Sequence, residues 1–219
     1  MILFYSSPTP NGWKVAMALE ELELDYELRL VDLSKGEQHS PEFRALNPNG
    51  RIPVIHDTEM DVTVFESGAI LFYLAEKAGR LLPTDLAGRY DVMQWVMFQM
   101  AGIGPMQGQA VSFIRYFPEV VQPAIDRYVN ETRRLYEVMN THLQDRDYLA
   151  NEYSIADIAN YSWIRSHKWA RVSVEELPHL QRWMAVMAAK SGIQRGCEVP
   201  PSPGKATLVT SGGKKIVTQ

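Results

Sequence analysis

The chain has 219 residues, 46% of them hydrophobic, with 22 Lys plus Arg against 26 Asp plus Glu for a formal net charge of −4. That apolar content supports a sizeable core without disulfide or metal staples, and the missing basic surplus argues against nucleic acid as a partner. A single cysteine, Cys197, excludes an internal disulfide, a CxxC redox pair and a thiolate-rich zinc site.

In chain order, Ile2–Tyr5 is a short apolar run closed by Ser6, Ser7 and Pro8, which predicts a buried strand and a loop. From Gly12, the residues Trp13, Val15, Ala16, Ala18, Leu19 and Leu22 recur at helical spacing, with Glu20, Glu21 and Glu23 on the other side. Tyr26–Val31 alternates as a strand, and Pro41–Leu46 predicts a short helix stopped by Asn47-Pro48-Asn49-Gly50. Ile52–His56 and Val62–Phe65 are two further strands, and a helix follows from Ser67 to about Lys77. The order is β-α-β-α-β-β-α. Beyond Pro83 the strand signals vanish, and helical patterns cover Ala87–Gly102, Pro123–Leu143, Ile155–Trp169 and Leu177–Lys190. These patterns predict an α/β domain over residues 1–83, an all-α domain over 88–197, and an extended or disordered tail over 198–219 rich in Pro, Gly, Ser and Thr. No run of about 18 apolar residues predicts a membrane span. Met1–Ser7 lacks the basic start and apolar core of a signal peptide, so the expectation is a cytoplasmic protein without a membrane partner.

Three segments carry polar groups suited to binding. In Asn47-Pro48-Asn49-Gly50-Arg51-Ile52-Pro53, a cis X-Pro bond would turn the backbone groups of Ile52 outward, with Arg51 as a cation for a carboxylate. An edge strand beside a solvated arginine is the ordinary alternative. In Phe65-Glu66-Ser67-Gly68-Ala69-Ile70, Ser67 reads as an N-cap on a helix end suited to an anion, and Glu66 suits an ammonium. Together they suggest a receptor for an α-amino-acid head group; capping alone accounts for Ser67 but less well for Glu66. In Ser6-Ser7-Pro8-Thr9-Pro10-Asn11-Gly12, Thr9 and Asn11 are placed to donate to an anionic atom over the first helix, with capping as the competitor for Asn11.

These strings, with Gly104-Pro105-Met106-Gln107-Gly108-Gln109, resemble the cytosolic glutathione transferases, and among them the bacterial nu class and the related yeast nitrogen regulator. The resemblance spans about residues 1–197. It implies a thioredoxin-like N-terminal domain followed by a helical bundle, and a homodimer. It also implies glutathione as co-substrate. On that resemblance Ile52 pairs its backbone with the cysteinyl part, with Pro53 cis; Glu66 and Ser67 hold the γ-glutamyl end; and Arg51 lies near the glycyl carboxylate. Gln38 and Arg134 are further candidate contacts. Thr9 and Asn11 sit at the sulfur, with Tyr5, Ser6 and Ser7 as rivals. The implied activity is glutathione-dependent disulfide reduction, with weak conjugation or peroxide reduction, on a small electrophile or disulfide. A non-catalytic regulatory protein that binds partners is the alternative.

The remaining features read as structural. Ser154 and Asp157 have the form of a capping box. Arg133 and Arg134 stand at ion-pair spacing from Glu137 and Glu131. Gly102-Ile103-Gly104-Pro105 predicts a break in a long helix. The five histidines show no ligand spacing, so no metal is expected, and Cys197 is not expected to be catalytic.

Overall fold

The computed structural model describes residues 1–201. The predicted tail therefore lies outside the described residues from position 202 onward.

The first compact unit holds Met1–Arg80 together with a C-terminal helix. Its order is β1 (Ile2–Ser6), α1 (Pro10–Leu22), β2 (Tyr26–Leu30), α2 (Pro41–Leu46), β3 (Val54–Asp57), β4 (Val62–Phe65) and α3 (Ser67–Ala78). The four strands lie in the order β2-β1-β3-β4. The β1–β2 pair is parallel, with Phe4 opposite Leu28, and the other two pairs are antiparallel. Alternation along β1 buries Ile2, Phe4 and Ser6 and leaves Leu3 and Tyr5 on the other face. There Tyr5 joins Val31, Phe43 and Val54, with Leu33, Leu46 and Ile52 packed around them. Thus α2 covers the face on which Ile52 arrives. Helix α1 packs against α3 and is buried at every residue from Gly12 to Leu19.

Pro53 is not inside a strand. The ladder begins one residue later, at Val54, and β3 is an inner strand. The predicted strand Ile52–His56 is therefore shifted to Val54–Asp57, and the edge-strand alternative does not hold: the missing N–H of Pro53 falls outside the pairing.

A second difference concerns residues 191–197. They form α9 (Ser191–Cys197), which packs on α1 in the first unit rather than closing the helical domain. The reason is steric. A Cβ at Gly196 would stand 2.4 Å from Met17 Cα, and one at Gly192 would stand 2.8 Å from Glu21 Cα, so only glycine lets the two backbones approach this closely. Glu21 Oε1 accepts from the Ile193 N–H (3.0 Å), and Arg195 donates to Glu20 Oε2 (2.7 Å).

The second unit, Leu81–Lys190, contains helices only among its regular elements: α4 (Leu86–Phe98), α5 (Gly104–Arg115), α6 (Gln122–His142), α7 (Ile155–Ile164) and α8 (Pro178–Ala188). The chain does not break at Gly102–Pro105. A π-turn over Gln99–Ile103 joins α4 to α5, and Ile103 and Gly104 keep helical dihedrals. The wider turn accommodates Pro105, which has no N–H for the regular ladder. Helix α7 is buried along almost its whole length and begins with the predicted box. The buried Asp157 carboxylate accepts from the N–H groups of Ser154 and Leu149 (3.1 and 3.0 Å) and from Trp183 Nε1 (2.9 Å). No helix among the described residues is long and apolar enough to cross a membrane.

Candidate functional site

Three turns in the first unit end around one cleft of about 290 Å³, lined by Asn11, Asn47, Asn49, Arg51, Ile52, Pro53, Glu66 and Ser67. Each turn is shaped by its own local sequence.

The turn before β3 is organised by Asn47, which is buried. Its Nδ2 donates to the Arg51 carbonyl (2.6 Å), and its Oδ1 accepts from the Asn49 N–H (2.9 Å). The Asn47 carbonyl accepts from the Gly50 N–H (2.9 Å), and Gly50 takes φ +62°, a region that favours glycine. The loop delivers an exposed Arg51, a half-buried Ile52 and a cis Ile52–Pro53 bond to the cleft.

The turn into α3 differs from the expectation. Ser67 is the first residue of the helix rather than its N-cap. The N-cap is Glu66, held at φ 68°, and no side chain caps this end. A non-glycine residue at positive φ is costly and concentrates at functional sites. The exposed Glu66 carboxylate and the buried Ser67 thus flank a helix N-terminus whose N–H groups carry partial positive charge.

The turn into α1 assigns capping to Thr9. Its Oγ1 accepts from the Gly12 N–H (3.2 Å) at φ −132°, ψ 161°, whereas Asn11 stands inside the first helical turn and lines the cleft. Thr9 is not among the lining residues; it stands two residues upstream, and accepting from Gly12 leaves its O–H able to donate. The rivals Tyr5, Ser6 and Ser7 are not among the lining residues either. Ser7 Oγ donates to the Val31 carbonyl, Ser6 is fully buried, and Tyr5 packs edge-on against Phe43 at 6.4 Å.

Gln38 and Arg134 are not among the lining residues. Gln38 is buried in a 3-10 turn, with Nε2 3.1 Å from His39 Nε2. Arg134 lies on α6 in the second unit, where its guanidinium grips Glu131 through Nε and Nη2 (2.9 and 2.7 Å), while Arg133 pairs with Glu137.

Lys14 is a component that sequence reasoning missed. Although a lysine, it has no exposed surface, and its Nζ donates to Ser67 Oγ (3.0 Å). Burial pushes its pKa down to about 7, with the Glu66 carboxylate acting in the opposite sense. The available signal was its setting, Trp13-Lys14-Val15-Ala16-Met17-Ala18-Leu19, a cation inside an otherwise apolar run.

A wider hollow of about 570 Å³ over Asp145–Tyr153 in the second unit gathers acids and tyrosines but none of the motif residues. Among the described residues no group of three or more His, Cys, Asp or Glu side chains is placed to hold a metal ion.

Residues 1–76 match the model of the glutathione S-transferase N-terminal domain, and residues 95–190 match that of the C-terminal domain. The disulfide-bond oxidoreductase YfcG of Escherichia coli is 44% identical over 189 residues, covering 84% of this chain and 88% of that protein. A glutathione transferase from Pseudomonas putida, solved with one glutathione disulfide bound per subunit, superposes with a TM-score of 0.85 at 43% identity and 91% coverage of both chains. Ure2p in complex with glutathione superposes with a TM-score of 0.86 at 30% identity, covering 89% of this chain and 97% of that one.

Proposed function

Because the chain belongs to the glutathione S-transferase family, we propose that it binds glutathione in the 290 Å³ cleft and uses the bound thiol to reduce disulfides. The observation that carries this reading is the convergence of Asn11, Arg51–Pro53 and Glu66–Ser67, three separate turns, on one hollow. The groups are complementary to a γ-linked tripeptide. Glu66 suits its ammonium, Ser67 and the α3 N-terminus suit the neighbouring carboxylate, the Ile52 backbone suits the peptide, and Arg51 suits the terminal carboxylate. Relatives that carry a disulfide-bond oxidoreductase name, or that hold glutathione disulfide, support placing the sulfur chemistry here.

The thiol is supplied by the substrate, and the protein adjusts its acidity. A free thiol with pKa about 8.5 is only about 3% ionised at pH 7; lowering that value by about two units gives roughly 75% thiolate, a stabilisation of about 2.7 kcal/mol. The Thr9 hydroxyl, the Asn11 amide and the α1 N-terminus are donors of the right kind. The thiolate attacks one sulfur of a disulfide, the S–S bond breaks, and the departing sulfur leaves as thiolate and takes a proton. A second glutathione thiolate then attacks the mixed disulfide, releasing the other half and forming glutathione disulfide. The same nucleophile would reduce a peroxide weakly or conjugate an electrophile.

Helix α4 supports a homodimer. Leu86, Tyr90, Met93 and Met97 fall at spacings of four, three and four on one side of the helix, and Leu86 and Tyr90 are 74% and 59% exposed.

The test is turnover of a small mixed disulfide with glutathione, run beside calorimetry. Saturable binding with turnover supports the reading; tight binding without turnover favours a non-catalytic binding role. Glu66→Ala and Ser67→Ala are expected to weaken glutathione binding at least tenfold with little change in melting temperature. Parallel loss of both would count against a direct role.

A further inference from the structure

Lysines are seldom fully buried, because removing an ammonium from water is costly unless its surroundings repay it. Lys14 has no exposed surface, and it lies directly behind Ser67, a wall residue of the cleft, with Nζ 3.0 Å from Ser67 Oγ. We propose that Lys14 is a positioning residue for ligand binding: its buried ammonium orients the Ser67 hydroxyl toward the cleft and adds the positive charge that recognises the α-carboxylate of a γ-glutamyl group. This deepens the glutathione reading and rests on it.

An ammonium has three N–H donors and no lone pair, so toward Lys14 the Ser67 oxygen can only accept. The hydroxyl proton is then directed away from Lys14, and a carboxylate entering the cleft is an acceptor that it can meet. A neutral amine has a lone pair that can accept from Ser67, which lets the hydroxyl turn inward. The ammonium also stands behind the N-terminus of α3, so charge and helix dipole act on an anion in the same sense. Glu66 sits on the same turn, and its carboxylate favours the charged form of Lys14 while offering itself to the ligand ammonium. One acid and one buried base are thereby arranged for the two charges of an amino-acid head group.

A pH dependence follows. Burial holds the free Lys14 near pKa 7, and a carboxylate bound beside it raises that value, so binding above neutrality takes up protons. The ionisable groups on the elements packed about α1 are Glu66, Tyr73, Glu76 and Lys77 on and before α3, and Arg195 and Cys197 on α9; α1 itself carries Glu20 and Glu21. Affinity falls as pH rises through the neutral range, as the ammonium is lost.

The experiment uses S-methylglutathione, which has no titrating thiol, and its analogue in which 4-aminobutyrate replaces the γ-glutamyl residue and so removes the α-carboxylate. Calorimetry on the full chain is run from pH 6 to 9 in buffers of different ionisation enthalpy. The unmodified protein is expected to bind S-methylglutathione about tenfold more weakly at pH 8.5 than at pH 6.5, with net proton uptake at pH 8. In Lys14→Met the affinity at pH 6.5 falls tenfold or more, the profile flattens and the proton uptake disappears. The analogue binds Lys14→Met and the unmodified protein equally. Lys14→Gln is the second variant if Lys14→Met does not fold, and the profile of the unmodified protein tests the idea without either. Equal weakening of both ligands, or an unchanged profile in the variant, overturns the role of Lys14. Absence of saturable binding of either ligand to the unmodified protein overturns the glutathione reading itself, and this inference with it.

Discussion

Thr9 combines two tasks that mutation can separate. Its oxygen caps α1 by accepting from Gly12, and the same hydroxyl is the proposed donor to the glutathione sulfur. Aspartate is also a good N-cap and is favoured by the helix dipole, yet it has no proton to give at neutral pH and places a negative charge beside a thiolate. Thr9→Asp is therefore expected to keep the melting temperature within a few degrees while lowering disulfide turnover at least a hundredfold. The pKa of bound glutathione, followed by thiolate absorbance, should rise by at least a unit. Thr9→Ser should leave both properties near the unmodified values. An active Thr9→Asp protein would remove the hydroxyl from the mechanism. At this scale the sequence was informative where a motif builds its own turn, as at Arg51, Glu66 and Asn11, all three of which line the cleft. It was silent on Lys14, because nothing in α1 alone reports that the start of α3 will meet a buried lysine there.

Elements were legible where apolar periodicity was strong. The strands and helices of the first 80 residues, and the long α6, follow directly from spacing. Helix α9 was not, since Ser191-Gly192-Ile193-Gln194-Arg195-Gly196-Cys197 holds two glycines and little apolar pattern; its placement depends on close backbone approach to α1. Gly196→Ala should accordingly cost about 1–3 kcal/mol, on the scale of overpacking a tight core, because the new Cβ meets Met17 main chain that cannot move aside. Urea unfolding measures this, and a change within about 0.5 kcal/mol would contradict the packing. A second element-scale device ties β3 to α3. The buried Asp57 accepts from Tyr73 Oη (2.6 Å), Lys77 Nζ (2.9 Å) and the Glu59 N–H (3.0 Å). Burial alone would raise this carboxyl, but these partners more than offset it and hold it below the usual range. Its folded-state pKa lies below the unfolded value of about 3.9, so the stabilisation is complete above about pH 5 and fades as pH falls through the lowered value. Asp57→Asn should have a lower melting temperature at pH 7 and a shallower decline between pH 5 and 2.5. Parallel curves for the two proteins would show that Asp57 does not set the acid limb.

The whole molecule confronts one feature that its parts do not resolve. Helix α4 buries Val92, Trp95 and Val96 on one side, while Leu86, Tyr90 and Met97 remain substantially exposed on the other. Isolated apolar residues on a surface need no explanation, but a stripe along three turns of one helix is what an interface requires. The dimer expected from the sequence resemblance supplies a covering partner of the right kind, a second copy of the same chain. A carboxylate at position 90 would be carried into that contact without a counter-charge, whereas on a free helix face it would remain solvated and change little. Sedimentation should therefore show a dimer for the unmodified protein at micromolar concentration. Tyr90→Glu should raise the dimer dissociation constant at least a hundredfold, with helical content retained in circular dichroism. Disulfide turnover in the monomeric variant then reports whether each cleft is sufficient in itself. A monomer before mutation, or a dimer indifferent to Tyr90→Glu, would place the contact elsewhere or remove it.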